Sequence, residues 1–372
     1  MDRVRRITIM GAGNGGCTAA ADLTQRGFEV CLYELPDFQE RYKPVVEKGG
    51  IEFVTKSGRA FVKLKKVTSS VEEALDGAEV IMIVTQALAH NQLAQMCTPY
   101  LNDGQIVILN PGSTCGSLEF WLALQKKGFK GRIRIGETNS LTYGCRLTGP
   151  GQATLFNLCP KILLGVFPAH ESESVVATLH QLYPSIVGAK NVLEAGLNNG
   201  NPVSHPGASV LNAGRIEYSG GDIILYKEGI TPSVVKVNEA IDSERLALCR
   251  RMGYAELPIK DAIVQRGYSP GGTTLYETYQ NSEIFMTGKG PSSLKDRYIT
   301  EDCMFGLVFW ASLGAHLKVQ TPTISSIIHL ASVLNSTNYQ KDGPRTVEKL
   351  GMAGMTVSEI NQFLDTGDPA KR

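Results

Sequence analysis

The chain has 372 residues, 37 Lys and Arg against 36 Asp and Glu, a formal net charge of +1, 42% hydrophobic residues and 20% charged ones. That length accommodates roughly two domains, and the composition is that of a globular chain rather than a disordered one. The balanced charge argues against nucleic acid or a membrane surface as partner, since either needs a basic field.

Eight cysteines are scattered with no C-x-x-C pair and no tight pairing with histidine, which fits free thiols in a reducing cytosol. No group of His, Cys and acidic residues has metal-ligand spacing, so no metal is expected. No stretch reaches 18 apolar residues, so no membrane span is expected either. The opening "MDRVRRITIMGAGNGG" imitates a signal peptide, but its apolar run collapses at once into glycines. A first strand explains it better. The expectation is a soluble, cytoplasmic protein.

In chain order, "RRITIM" (5–10) reads as a strand, "GAGNGG" follows directly, and "CTAAADLTQRG" reads as a small-residue helix stopped by Gly27. "FEVCLYE" (28–34) is a second strand closing on Glu34. This βαβ unit carries G-x-G-x-x-G at Gly11, Gly13 and Gly16, with Asn14 inside the same loop. Gly11 permits the tight turn, Gly13 lets backbone approach a pyrophosphate, and Gly16 lets helix pack on strand. The helix N-terminus offers free N–H groups to phosphates. Glu34 lies 21 residues after Gly13, where a carboxylate accepts from the ribose hydroxyls. It repels a 2′-phosphate, and "LPDFQ" after it brings no immediate arginine, so NAD is preferred to NADP. "AEVIMIVTQ" (78–86) and "GQIVILNPGS" (104–113) are near-continuous apolar runs, as for parallel strands covered on both faces. Helical stretches at Ser70–Leu75 and about Ala89–Tyr100 lie between them. "NPGSTCG" (110–116) is a glycine-bearing loop at a strand's C-terminal end, where doubly wound sheets place ligands. "RIRIGE" (132–137) and "PKILLGVF" (160–167) add strands, and this domain is expected to cover 1–188.

From 189 to 372 the texture is helical. In "SVVKVNEAIDSERLALCRRMG", Val234, Val237, Ile241, Leu248 and Met252 form a stripe that Gly253 stops. "FGLVFWASLGAHLK" reads as buried, Thr321 and Pro322 as cap and first turn of a helix, and Thr356 with Glu359 as a capping box. The last residues, "TGDPAKR", should fray. "NNGNPVSHPGAS" (198–209) sets His205 among breakers, as a loop or helix-start histidine or as an acid/base. Asn198, Asn199 and Asn201 around it read as turn residues. "GPSSLKDRYITEDC" (290–303) packs Asp296, Arg297, Glu301 and Asp302 around Tyr298. It is a solvated charge run or, alternatively, a carboxylate clamp at Arg297 with an acid that orients His205.

Taken together, "GAGNGG", "NPVSHPG", "YKEGITPSVVKVNEAIDSER" and "SLKDRYITEDC" resemble the opine dehydrogenases of the octopine/nopaline type, over nearly the whole chain and in order. The resemblance implies an α/β fold: a Rossmann domain with a doubly wound, mainly parallel sheet, then an all-helical domain of the 6-phosphogluconate dehydrogenase-like type, with the site in the cleft between. It implies NAD(P)H-dependent reductive condensation of an amino acid's amine with a 2-oxo acid such as pyruvate, and the reverse oxidation. It implies His205 as acid/base, Asp302 as its carboxylate partner, and Arg297 as the holder of a substrate carboxylate. Either a monomer or a homodimer fits the family. "EDCMFGL" departs from its pattern, with Cys303 and Met304 in place of a small apolar residue and proline.

The rival on the same architecture is a 2-hydroxyacid or ketopantoate-type reductase, or a polyol-phosphate dehydrogenase; these usually rely on a lysine, for which Lys190 and Lys260 are candidates. A dinucleotide-binding regulator without catalysis is the third reading. His90 follows a strand and is either at the cofactor edge or a helix start, while His316 and His329 fall in helices and read as structural. The absence of G-x-S-x-G and of a P-loop lysine argues against hydrolase or kinase chemistry.

Overall fold

A computed structural model of the chain describes residues 3–368. Residues 369–372, on which part of the expected fraying of "TGDPAKR" falls, lie outside the described residues, as do the side chains of Gln39 and Arg41. The chain divides into two compact units, Met1–Gly112 with Gly116–Val192, and Ser113–Cys115 with Leu193–Arg372.

The first unit runs β1 (Arg6–Met10), α1 (Asn14–Gln25), β2 (Glu29–Tyr33), α2 (Gln39–Lys48), β3 (Gly50–Thr55), β4 (Gly58–Lys63), β5 (Lys66–Thr68) and α3 (Val71–Leu75). It continues with β6 (Val80–Ile83), α4 (His90–Cys97), β7 (Ile106–Leu109), α5 (Gly116–Lys126), β8 (Arg134–Thr138) and β9 (Tyr143–Gly149). β10 (Gln152–Leu158), β11 (Ile162–Phe167), α6 (Ser172–Leu179) and β12 (Ile186–Gly188) complete it. One sheet has the order β12-β11-β8-β7-β6-β1-β2-β5. Its strands from β5 to β8 are all parallel, and β11 joins β8 antiparallel. The apolar runs are continuous because each central strand feeds two cores. Ile7, Ile9, Val80, Met82, Ile106 and Ile108 face the core that holds α1, while Met10, Ile81, Ile83, Val107 and Leu109 face the one that holds α4 and α5. This is a Rossmann sheet with helices on both faces.

A second, four-stranded sheet of order β4-β3-β10-β9 is absent from the sequence reading. Its strands are half-exposed, and β10 reaches β3 in parallel from 100 residues away, with Gln152 opposite Glu52. Weak alternation and distant pairing leave little local signal.

The second unit contains α7 (Val192–Leu197), α8 (Asn201–Ser204), α9 (Pro206–Leu211), α10 (Ala213–Tyr218) and α11 (Pro232–Met252). After these come α12 (Ile259–Gln265), α13 (Leu275–Gln280), α14 (Glu283–Thr287), α15 (Arg297–Thr300) and α16 (Val308–Leu317). The last are α17 (Pro322–Asn335), α18 (Tyr339–Asp342) and α19 (Val357–Thr366). Among its described residues this unit has no strand. The expected stripe on α11 is buried at Val234, Ile241, Leu248 and Met252, but Asn238, Asp242 and Arg245 are buried on the same helix. Thr356 and Glu359 form the expected capping box. Thr321 does not cap α17 through its side chain; the Glu244 carboxylate on α11 instead accepts from the Thr323 and Ile324 N–H groups at 2.8 and 3.0 Å. A carboxylate suits that helix end because it also meets the positive end of the dipole.

Candidate functional site

The glycine loop of the first unit is built by three different constraints. Gly11 takes a φ of +110°, and a Cβ there would sit 2.6 Å from the Val84 carbonyl oxygen. A Cβ on Gly16 would lie 1.6 Å from the Gly11 carbonyl oxygen, so α1 closes on the loop only without a side chain. A Cβ on Gly13 would meet nothing within 4 Å. Its bareness leaves room at the helix start instead of serving packing. Gly13 is the N-cap, no side chain caps α1, and the first turn has no acidic residue. The first amides of the helix, left over by its own ladder, therefore stand at the positive end of the dipole with no carboxylate from the first turn on them. That end suits a phosphate anion.

Glu34 follows β2 and is held against the same loop. Its Oε2 accepts from Ala12 N–H at 2.7 Å and its Oε1 from Leu35 N–H at 2.9 Å, and each oxygen keeps a lone pair for a further donor. Asn14 turns its Oδ1 to the Leu147 N–H at 2.8 Å, tying the start of α1 to β9. His90 is the buried first residue of α4, which is the helix-start reading.

In the second unit His205 stands between α8 and α9, buried at 4% exposure. Pro206, with no N–H to donate, opens α9, and His205 serves as its N-cap residue, so the breakers place a histidine at a junction of two short helices. The ring is held from three sides. Nδ1 lies 2.7 Å from Asp302 Oδ2, Nε2 lies 2.8 Å from the Tyr226 hydroxyl, and the Tyr298 ring stacks on it at 3.8 Å and 1°. An ionised carboxylate can only accept, so Asp302 fixes the proton on Nδ1 and leaves the Nε2 lone pair to be protonated. The residues 297–302 are thus no solvated run: Tyr298, Glu301 and Asp302 are buried. Asp296 caps α15 by accepting from the Tyr298 N–H, and Asp302 opens a π-helical turn, Asp302–Leu307, in which Cys303 and Met304 sit. Arg297 keeps 39% of its side chain exposed, lies 5.3 Å over the Tyr298 ring, and has Nη1 3.7 Å from Glu301 Oε2. A planar, part-exposed cation thus stands next to the stacked pair.

The supporting shell was not legible beforehand. Buried Arg245 pairs with Asp242 and donates to the Leu197 carbonyl at 2.8 Å and Asn198 Oδ1 at 3.1 Å. Asn199 Nδ2 donates to Thr114 Oγ1 at 3.2 Å and its Oδ1 accepts from Asn201 N–H. Asn198 and Asn199 are therefore more than turn residues. Ser113, Thr114 and Cys115 all have positive φ, a left-handed turn costing about 1–2 kcal/mol per residue. Buried Arg345 steadies it, donating to the Ser113 and Thr114 carbonyls at 2.7 and 2.8 Å, while Ser113 Oγ donates to Glu301 Oε1 at 3.1 Å. Tyr226, missed as a contact of His205, lies in the "YKEGITP" element, where nothing in local pattern marks it. Among the rival lysines, Lys260 Nζ donates to the Thr273 carbonyl. His316 bonds the Met355 carbonyl at 2.7 Å, a structural role, and His329 is exposed. Among the described residues no three His, Cys, Asp or Glu side chains converge as metal ligands, and no helix is long and apolar enough to cross a membrane.

A Rossmann unit with a bare phosphate-ready helix start, followed by a helical unit holding a buried His–Asp pair, defines a two-domain nicotinamide-dependent dehydrogenase. The comparisons with known proteins carry this further. Residues 188–335 match the family model for NAD/NADP octopine/nopaline dehydrogenase, alpha-helical domain, and residues 7–114 match that for ketopantoate reductase PanE/ApbA. An opine dehydrogenase of Arthrobacter sp. (strain 1C) is 35% identical over 363 residues, 97% of this chain and 99% of the relative. Protein ocs of Agrobacterium tumefaciens (strain Ach5) is 24% identical, covering 97% and 99%. The structure of octopine dehydrogenase with NADH and L-arginine matches with a TM-score of 0.76 at 17% identity and 99% coverage of both chains. A yersinopine dehydrogenase with NADP+ bound matches at 0.68, 16% identity and 98% coverage of each. At those identities the structures speak to the fold. The chain belongs to the opine dehydrogenase family, and is an NAD(P)-dependent dehydrogenase acting on CH–NH donors. The ketopantoate reductase family model matches only residues 7–114, nearly all of them in the first unit.

Proposed function

We propose that the protein condenses the amine of an amino acid with a 2-oxo acid such as pyruvate, reducing the resulting imine, and runs the reverse oxidation. The observation that carries this is the buried His205–Asp302 pair at 2.7 Å, with Tyr298 stacked on His205 and Arg297 5.3 Å from the Tyr298 ring. Condensation needs proton traffic at one carbon: an oxygen must leave as water, and in reverse an amine must lose a proton. His205 gives and takes those protons. Asp302 accepts from Nδ1, holds the tautomer and stabilises the imidazolium. Arg297 receives a substrate carboxylate on its fork and orients the reacting carbon. When bound, the nicotinamide supplies or accepts the hydride at that carbon. Gly11, Gly13, Asn14 and Gly16 hold the pyrophosphate end, and Glu34 accepts from the ribose hydroxyls, which favours NAD over NADP. Residues 1–188 form the cofactor part and 189–372 the substrate part. Eight cysteines, none of them in a disulfide, support a cytoplasmic location.

The test is NADH oxidation with pyruvate, with and without an amino-acid mixture, beside His205→Ala. Turnover should require the amine and fall by about 10²-fold or more in the variant. Turnover with pyruvate alone would name a 2-hydroxyacid reductase instead. NADH binding with no turnover, indifferent to His205, would indicate a regulator.

A further inference from the structure

We propose that Tyr226 is a catalytic residue, carrying protons through its hydroxyl between His205 and the reacting oxygen or nitrogen of the substrate. The inference rests on the reading of His205 as acid and base. Both ring nitrogens of His205 are taken, Nδ1 by Asp302 at 2.7 Å and Nε2 by the Tyr226 hydroxyl at 2.8 Å. The nitrogen that must trade the proton is thus covered by a hydroxyl. His205 is buried whereas Tyr226 is only partly so, and the bond between them is part-buried.

Tyr226 is also poorly placed to step aside. Its ring stacks on Phe285 at 4.2 Å and 7°, with Phe285 stacked in turn on Tyr268 at 5.6 Å. Tyr279 flanks it at 5.6 Å and is itself bonded to Ser204 at 2.7 Å, on the helix that ends at His205. The Gln280 side chain donates to the Tyr226 carbonyl at 3.3 Å. Its backbone belongs to a π-helical turn, Leu225–Gly229, an irregularity that recurs at functional sites. A hydroxyl fixed in this way meets the demand of a relay, because it donates and accepts at once.

In the condensation direction the imidazolium donates its Nε2 proton to the Tyr226 oxygen as the Tyr226 proton passes to the carbinolamine oxygen. The C–O bond breaks, the nitrogen lone pair forms the C=N bond, and the oxygen leaves as water. Tyr226 ends as a neutral phenol and His205 as a neutral imidazole still bonded to the Asp302 carboxylate. Besides His205, the titratable groups around the phenol are Tyr298, Tyr279, Arg297 and Asp302. Loss of water, then Tyr298 and Tyr279, hold its pKa well above the ordinary tyrosine value, against Arg297. The phenol therefore stays protonated at rest, and a concerted exchange never leaves a phenolate.

Tyr226→Phe keeps the ring and removes the hydroxyl. NADH oxidation with pyruvate and an amino-acid mixture is measured for wild type, Tyr226→Phe and His205→Asn, with thermal melts and a proton inventory in H2O/D2O mixtures. The relay predicts that kcat of Tyr226→Phe falls about 10²-fold or more, with KM for pyruvate unchanged, and that the wild-type inventory is curved by two moving protons. If Tyr226→Phe keeps wild-type kcat while His205→Asn collapses, substrate meets His205 directly; the relay is overturned and the function stands. If His205→Asn also turns over normally, or wild type turns over with no amine, the reading of His205 falls and the relay with it. Should Tyr226→Phe melt early, the inventory decides: a curved one supports the relay and a linear one overturns it.

Discussion

Asp302 shows most directly what one residue contributes to this site. It lies 97 residues from His205 in sequence and 2.7 Å away in space, with both side chains almost wholly buried. In the proposed mechanism its work is positional: a carboxylate on Nδ1 decides which nitrogen carries the exchangeable proton. Asp302→Asn keeps the size and loses the obligatory acceptor. We expect kcat for amine-dependent NADH oxidation to fall about 10²–10⁴-fold while the thermal melt moves little, as for other acceptors that orient a catalytic imidazole. A variant with wild-type kcat would remove Asp302 from the mechanism. The histidine itself was singled out in the sequence because breakers surround it. Its partner on Nδ1 was named only through family likeness, and its partner on Nε2, Tyr226, was not named at all. No spacing rule links positions 21 and 97 residues away.

At the scale of elements, the glycine loop separates two roles that the motif runs together. Gly16 is bare because α1 packs on the Gly11 carbonyl; Gly13 is bare although nothing near it needs the space. Gly16→Ala should therefore lower the melting temperature sharply, as overpacking at an immovable backbone does. Gly13→Ala should leave the melt close to wild type and weaken NADH binding, read by quenching of protein fluorescence or by calorimetry. Equal NADH affinity in Gly13→Ala would show that no phosphate passes over that residue. The same scale explains which helices were readable. The Thr356–Glu359 box is local, and the sequence states it. The start of α17 is completed by Glu244 from α11, and a cap borrowed from another helix leaves no trace within three residues of the end it serves.

For the whole molecule, ligand linkage is the sharpest handle. NADH at a hundred times its Kd should add about 2.7 kcal/mol to stability, and, on the proposed role of Glu34 at the ribose hydroxyls, NADPH at the same concentration less. Glu34→Gln should narrow the gap between the two in a thermal-shift titration. Equal shifts in the wild type would remove the preference for NAD. Features written in short-range code were legible along the chain: the βαβ unit with its glycines, the doubly covered strands, the switch from strands to helices, and a histidine isolated by prolines and glycines. The four-stranded sheet, the buried Asp242–Arg245 pair under Asn198, the left-handed turn held by Arg345, and the three-sided grip of Asp302, Tyr226 and Tyr298 on His205 became visible only in the folded chain. Those depend on which distant segments become neighbours, and hydrogen bonds and ring stacks act over a few ångströms, a range that periodicity along the chain does not encode.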